Sequence, residues 1–198
     1  VFKNTNKKKI LIASHSFIDG PHIYGPDSNI FPDFCEWLEY VHELSKETDY
    51  EFYIKNHPDS PSREDQIFKD FIKNKKNFFE IPKFCSHRQL LKEKIDCVLT
   101  VNGTVAWEFA YFNIPVITAA KNNPHINYDF CSHATTIEEY GQMIKNFQNI
   151  KINFKKENIY EFYFMHNIYS RSKWLIFDYD KLLNEIKGYD NLSKIEFY

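Results

Sequence analysis

Glycine is scarce, with 5 in 198 residues, and the glycine-rich phosphate fingerprints are missing. Neither G-x-G-x-x-G nor G-x-x-x-x-G-K-[ST] occurs, which counts against nicotinamide dinucleotide binding and P-loop ATP chemistry. The G-x-S-x-G elbow of Ser/His/Asp hydrolases is absent as well. Charge of one sign is also lacking: 25 Lys and Arg face 27 Asp and Glu, a formal net charge of −2. Without a basic excess there is no electrostatic case for nucleic acid. Two local basic runs, Lys7-Lys8-Lys9 and Lys73 to Lys76 (interrupted by Asn74), flank apparent strands and read as solvated positions. No apolar run nears the roughly 18 residues that span a bilayer. Lys7-Lys8-Lys9 precedes too short an apolar stretch for a signal peptide, so a cytoplasmic location is expected. The four cysteines, Cys35, Cys85, Cys97 and Cys131, form no C-x-x-C pair. With Cys35 and Cys97 in apolar contexts, buried free thiols are expected rather than disulfides or a zinc site.

What the chain has in quantity is aromatic rings: 19 Phe, 13 Tyr and 3 Trp, 18% of the residues. That exceeds the need of one core and leaves rings to spare for a partner surface. Hydrophobic residues at 43% and charged residues at 26% are ordinary for a soluble globular chain. The length fits one generous domain, or one domain with a helical appendage.

Five short apolar runs punctuate the first two thirds: Lys9–Ser14, Tyr50–Lys55, Asn77–Ile81, Ile95–Val101 and Ile114–Thr118. Their continuous rather than alternating hydrophobicity predicts strands buried on both faces, as in a parallel sheet. Between them lie helical patterns at Pro32–Glu47, Ser62–Lys73, Ser86–Lys94 and Thr104–Phe112, with a further helix at Thr136–Phe147. Pro32 suits a first helical turn, and Ser62 with Asp65 an N-capping arrangement. Residues 1–8 read as a frayed lead-in. Phe162, Met165, Tyr169, Lys173 and Phe177 predict one late helix, and Tyr179–Lys187 another. Strands alternating with helices define an α/β fold. Its natural strand order is the doubly wound 3-2-1-4-5, in which a ligand sits at the carboxyl ends of the strands where the winding reverses.

Every polar cluster of note falls on that edge. Asn102-Gly103-Thr104 follows strand four, where Gly103 permits close approach and a helix N-terminus offers N–H groups to an anion. Taken alone, it reads first as a plain strand-to-helix turn capped by threonine. Glu108 lies one helical turn later and suits ribose hydroxyls, or serves as a favourable first-turn charge. Lys55-Asn56-His57-Pro58 ends strand two. Pro58 holds His57 extended, so the ring can point an N–H at a phosphate, or simply close a polar strand end. His15, Asp19 and His22 have metal-like spacing, but the Gly-Pro between them defines no geometry, and no metal is expected. His125 and His133 are expected at the surface of a long loop.

Taken in order, His57-Pro58, the turn Val101-Asn102-Gly103-Thr104 with Glu108, and Ile114-Pro115-Val116-Ile117 resemble the donor-binding, C-terminal half of GT-B glycosyltransferases. The likeness is to bacterial capsule polysaccharide biosynthesis proteins, which include CMP-Kdo-dependent transferases. Phe17-Ile18-Asp19-Gly20-Pro21-His22 followed by Phe34 to Leu38 resembles surface-carbohydrate biosynthesis members of that group. The resemblance spans about residues 9 to 140. It implies a Rossmann-like nucleotide-sugar-binding domain over residues 1–150 and a helical extension over 151–198. It implies His57 and Thr104 as phosphate contacts, Gly103 as the point of approach, Glu108 near the nucleoside, and added charge from Lys55, with Pro58 and Asn102 completing the two motifs. The implied reaction moves a sugar from a nucleotide donor, CMP-linked in preference to UDP-linked, to a glycan acceptor, with neither cofactor nor metal. The N-terminal half that supplies the acceptor site and the base is expected elsewhere, as a missing half or a partner chain, with peripheral association at the inner membrane. No catalytic base is assigned; Asp19 is the one local candidate and reads better as a loop residue. Two other readings stand beside this one: a CDP-polyol phosphotransferase of the teichoic-acid type, and a noncatalytic assembly subunit whose aromatics form an interface.

Overall fold

The computed structural model describes residues 2–3, 5–17, 19 and 28–169. The expected helical positions Lys173 and Phe177, the segment Tyr179–Lys187, and His22 lie outside the described residues. Six parallel strands form one sheet: β1 (Lys9–Ala13), β2 (Glu51–Lys55), β3 (Phe78–Ile81), β4 (Cys97–Thr100), β5 (Val116–Thr118) and β6 (Ser132–His133), in the order β3-β2-β1-β4-β5-β6. The protein is therefore an α/β, Rossmann-like doubly wound fold. The expected order holds, and β6 extends it. That strand is two polar residues long, set by pairing Ile117 with Ser132 rather than by any apolar run of its own.

The apolar runs are continuous because each strand is covered on both faces. Ile10, Ile12, Phe52, Ile54 and Leu99 face one layer with α1 (Phe34–Ser45), α2 (Ser62–Ile72) and α5 (Ile137–Lys145). Leu11, Tyr53, Val98 and Val116 face the other, with α3 (His87–Lys92), α4 (Val105–Ala110) and α6 (Lys156–Tyr163). Strand residues alternate sides with a period of two, so an in-register parallel stack gives each layer a contiguous apolar floor. Ile10 pairs with Phe52 on one side and Cys97 on the other. At the centre of the first layer Trp37 Nε1 donates to Tyr140 Oη across 2.9 Å, with both residues fully buried.

Several local expectations are corrected. Helix α1 begins at Phe34 with Asp33 as its cap, accepting from the Glu36 N–H, so Pro32 stands outside the first turn. No side chain caps α2, whose N-cap position is Pro61; Asp65 turns instead to Asn56 and Lys83. Cys35 is exposed, because the inward stripe of α1 runs through Phe34, Trp37, Leu38 and Val41. The lead-in packs: Phe2 stacks on Tyr53, and the Lys3 N–H donates to the Tyr53 hydroxyl. After α6 the chain makes a π turn, Phe164–Ile168. The wider turn shifts the helical phase, so Phe162 is buried while Met165 and Tyr169 are exposed. His125 is buried between Phe130 and Phe162, and His133 is half-buried with Nδ1 at 2.7 Å from the Thr118 hydroxyl.

Replacing Tyr140 by phenylalanine leaves the buried Trp37 indole N–H without its acceptor. The expected loss is roughly 1–3 kcal/mol. Thermal unfolding should report it as a drop in Tm of roughly 2–4 °C per kcal/mol. An unchanged Tm would show that the bond adds nothing to the first layer.

Candidate functional site

The carboxyl ends of β1, β2 and β4 open together into a cavity of about 510 Å³. That volume suits a small-molecule site. Lys55, His57, Pro58, Asn102, Gly103, Thr104 and Glu108 all line it, as do His15, Asp19, Asp59 and His87. Strand order is the reason. β1 and β4 are neighbours at the reversal of winding, and β2 lies on the other side of β1, so three strand ends meet above one crevice.

The segment after β2 is a tightly bonded loop. Asn56 Oδ1 accepts the His57 N–H at 2.9 Å and the Ser60 hydroxyl at 3.3 Å. Asn56 Nδ2 donates to Asp65 of α2 at 3.1 Å. Lys83 Nζ ties the same carboxylate, at 2.9 Å, to the Ser60 carbonyl, at 2.7 Å. The Asp59 N–H donates to His57 Nδ1 at 3.2 Å. A nitrogen that accepts carries no proton, so in the neutral ring Nε2 is the N–H donor. Beside it Lys55 is 9% exposed. Burial holds its ammonium below the usual lysine range. Among the described residues that ammonium has no ion-pair partner within 4.0 Å. A desolvated cation with no direct ion-pair partner carries an electrostatic cost, eased in part by the fields of Glu108 and Asp59, that an anion in the cavity would offset further.

The turn after β4 is built differently from the sequence expectation. His15 Nε2 accepts the N–H groups of both Val101 and Asn102, each at 3.3 Å. The Thr100 hydroxyl donates to the Asn102 carbonyl at 2.9 Å. Two donors that the turn would have offered to an anion are thus held inside the protein. Helix α4 is only six residues long, and Thr104 has αR backbone angles and caps nothing. The Thr104 hydroxyl instead helps to hold the Glu108 carboxyl below its usual pKa range. Anion attraction in the cavity therefore falls to side chains rather than to a long helix dipole. Gly103 carries φ +113°, a conformation that L side chains rarely adopt.

His15 is a structural group. Its ring stacks on Phe34 at 4.6 Å, and burial, with His57 nearby, pushes its pKa down to about 3. It is neutral, with Nδ1 protonated and Nε2 occupied by two backbone donors, so it has no nitrogen for a metal. Among the described residues no group of three or more His, Cys, Asp or Glu is arranged to hold a metal ion. Asp19 reaches the same cavity, and partial burial raises its carboxyl pKa above the usual range, opposed by His57.

Glu108 has a partner that the sequence did not point to. His87 Nδ1 lies 2.7 Å from its Oε2. Burial would raise the Glu108 pKa, but the hydrogen bond and charge of His87, the Thr104 hydroxyl and the field of Lys55 together hold it below the usual carboxylate range. The one sequence signal near His87 was Ser86 with Gln89. They form a capping box that starts α3 but reveals nothing about a contact across 21 residues.

The fold is that of a wider class of Rossmann-like α/β proteins. No protein family and no curated protein matches the chain by sequence. Among solved structures it is similar to the UDP-GlcNAc 2-epimerase from Neisseria meningitidis bound to UDP-GlcNAc, at 17% identity and a TM-score of 0.50, covering 81% of this chain and 45% of that one. It is also similar to KpsC, the beta Kdo 2,7 transferase of Thermosulfurimonas dismutans, at 17% identity and TM-score 0.48, covering 81% of this chain and 54% of that one. The wall teichoic acid polymerase TagF gives 16% identity and TM-score 0.48, covering 80% of this chain and 38% of that one. The epimerase likeness establishes the fold. The chain spans between 38% and 54% of the length of these structures. Among the described residues no helix is long and apolar enough to cross a membrane.

Two consequences are measurable. Alanine at Gly103 must take φ +113°, a strain of roughly 1–3 kcal/mol; Tm should fall, although the added Cβ meets nothing nearer than His15 Cε1 at 3.7 Å. The second concerns pH. His15 and His125 have folded pKa values of about 3 against 6.5 for an unhindered histidine. Between those values the unfolded chain binds more protons, so stability is full above about pH 6.5 and is lost as pH falls toward 3, by about 1.4 kcal/mol per pH unit for each ring. In His15→Gln the amide oxygen replaces Nε2 as acceptor and cannot titrate, so the pH slope from urea unfolding should shrink by one proton. An unaltered slope would mean that His15 does not titrate as its burial requires.

Proposed function

We propose that this chain is the donor-binding domain of a bacterial surface-polysaccharide glycosyltransferase of GT-B architecture, and that the cavity holds a nucleotide-sugar. The observation that carries the reading is the polarity of that cavity. The buried Lys55 ammonium and the His57 Nε2–H lie on the β2 side, and the Glu108 carboxylate on the α4 side. A nucleotide-sugar has the matching pattern: an anionic phosphate linked to a ribose that carries hydroxyl donors. In this reading Lys55, His57 and Thr104 take the phosphate, Gly103 and Asn102 shape the approach, Pro58 holds the loop, and Glu108 takes the ribose.

The mechanism that these groups support is charge stabilisation. When the bond between sugar and phosphate breaks, negative charge grows on the leaving phosphate oxygen. A preorganised N–H from His57 and a desolvated ammonium from Lys55 stabilise that charge without reorganising. No resident cofactor or metal is required by this scheme. The acceptor glycan and the base that activates it belong to a second half, in a longer protein or a partner chain working at the inner membrane. The CMP-linked donor is favoured by the capsule-type motif pattern. The structurally similar epimerase is described as bound to UDP-GlcNAc, so uridine nucleotides belong in the same test.

Calorimetric titration with CMP, CDP and UDP should give binding below millimolar for at least one, with CMP the tightest. His57→Ala and Lys55→Met should each weaken it roughly ten- to hundredfold, as expected for loss of a charged hydrogen bond. Failure of all three nucleotides to bind at millimolar concentration would overturn the donor-domain reading. Binding that is indifferent to both substitutions would overturn the site.

A further inference from the structure

One wall of the cavity is a histidine–carboxylate contact between elements that lie apart in sequence. His87 is the first residue of α3, anchored by the Ser86–Gln89 capping box, in which Gln89 Oε1 accepts the Ser86 N–H at 2.8 Å. Its ring lies 4.8 Å from the Phe109 ring on α4. These two holds aim Nδ1 at Glu108 Oε2, 2.7 Å away. The side chains are 38% and 26% exposed, and a pair so open to water adds little to stability. What it does is local: with the Thr104 hydroxyl nearby and Lys55 in the same field, it restrains the Glu108 side chain and holds its carboxyl below the usual pKa range. An ionised carboxylate has about four acceptor positions, so the His87 contact leaves capacity for a ligand's donors.

We propose that His87 is a positioning residue, which holds Glu108 as a preset acceptor for the vicinal hydroxyls of the ligand and so makes the cavity select a ribose. The ligand half of this inference rests on the nucleotide reading above; the hold of His87 on Glu108 does not. His87 meets the carboxylate through Nδ1, and asparagine places an amide N–H near that position. Alanine offers no donor. The two substitutions therefore separate loss of the bond from loss of the ring.

The 198-residue chain would be titrated with whichever of CMP, CDP and UDP binds tightest, and with its 2′,3′-dideoxy counterpart. The wild-type chain should prefer the ribose form by roughly ten- to hundredfold. His87→Ala should reduce that preference to a few-fold, His87→Asn should retain most of it, and Tm should barely change in either. A full preference retained in His87→Ala overturns the proposal. In the ligand-free chain, carbon-13 NMR of the Glu108 carboxyl should show its titration midpoint rise in His87→Ala and return part of the way in His87→Asn. A midpoint that does not move overturns the positioning role, whatever binds. Absence of any nucleotide binding, with the midpoint moving as expected, would overturn the ribose assignment and the nucleotide reading while leaving His87 as the group that sets Glu108.

Discussion

The buried imidazole of His15 fastens the end of β1 to the turn after β4 through two backbone N–H groups. Those strands are neighbours at the point where the sheet reverses its winding, so the bond lies at the base of the cavity. Without it, the N–H of Val101 would be buried without an acceptor, a cost comparable to a lost hydrogen bond, and the part-buried N–H of Asn102 would turn to the cavity. The price of this arrangement is a histidine kept neutral under Phe34. Its benefit is a turn whose shape is fixed before any ligand arrives, with Gly103 taking the one backbone conformation that the turn requires.

Around that fixed turn the cavity is electrostatically divided. On the β2 side, Lys55 is buried and, among the described residues, without an ion-pair partner, and His57 is oriented by the Asp59 N–H. On the α4 side, Glu108 is held by His87. Both halves are braced from outside. Asn56, Asp65 and Lys83 tie the β2 loop to α2, while the capping box at Ser86 ties His87 to α3. The functional side chains therefore sit on short segments at strand ends, but their positions are set by helices in both layers. Binding groups ordered in advance lose less freedom when a ligand arrives.

The strand pattern was legible because parallel strands buried on both faces need continuous apolar runs, and this chain has five. The sixth strand was not, since Ser132-His133 has no apolar signal and exists only by pairing with β5. The helix starts differ in detail because caps are decided by which side chain finds an N–H: Asp33 caps α1 and leaves Pro32 before its first turn, while Ser62 opens α2 without capping it and Asp65 is drawn to Asn56 and Lys83. Cys35 and His125 were placed on the wrong side of the surface because sequence context does not reveal which neighbouring element will cover a loop or leave a helix face bare.

The amino-acid sequence by itself determined the α/β class, the strand order about the reversal and the edge on which the polar clusters gather. These follow from short-range periodicity and the few ways of connecting parallel strands. Only the tertiary structure decided how that edge works: His15 consuming the turn's donors, α4 being too short for a strong dipole, and Glu108 meeting His87. Each of these depends on side chains brought together from separate strands and helices, and no local pattern records which partner a buried polar group will find.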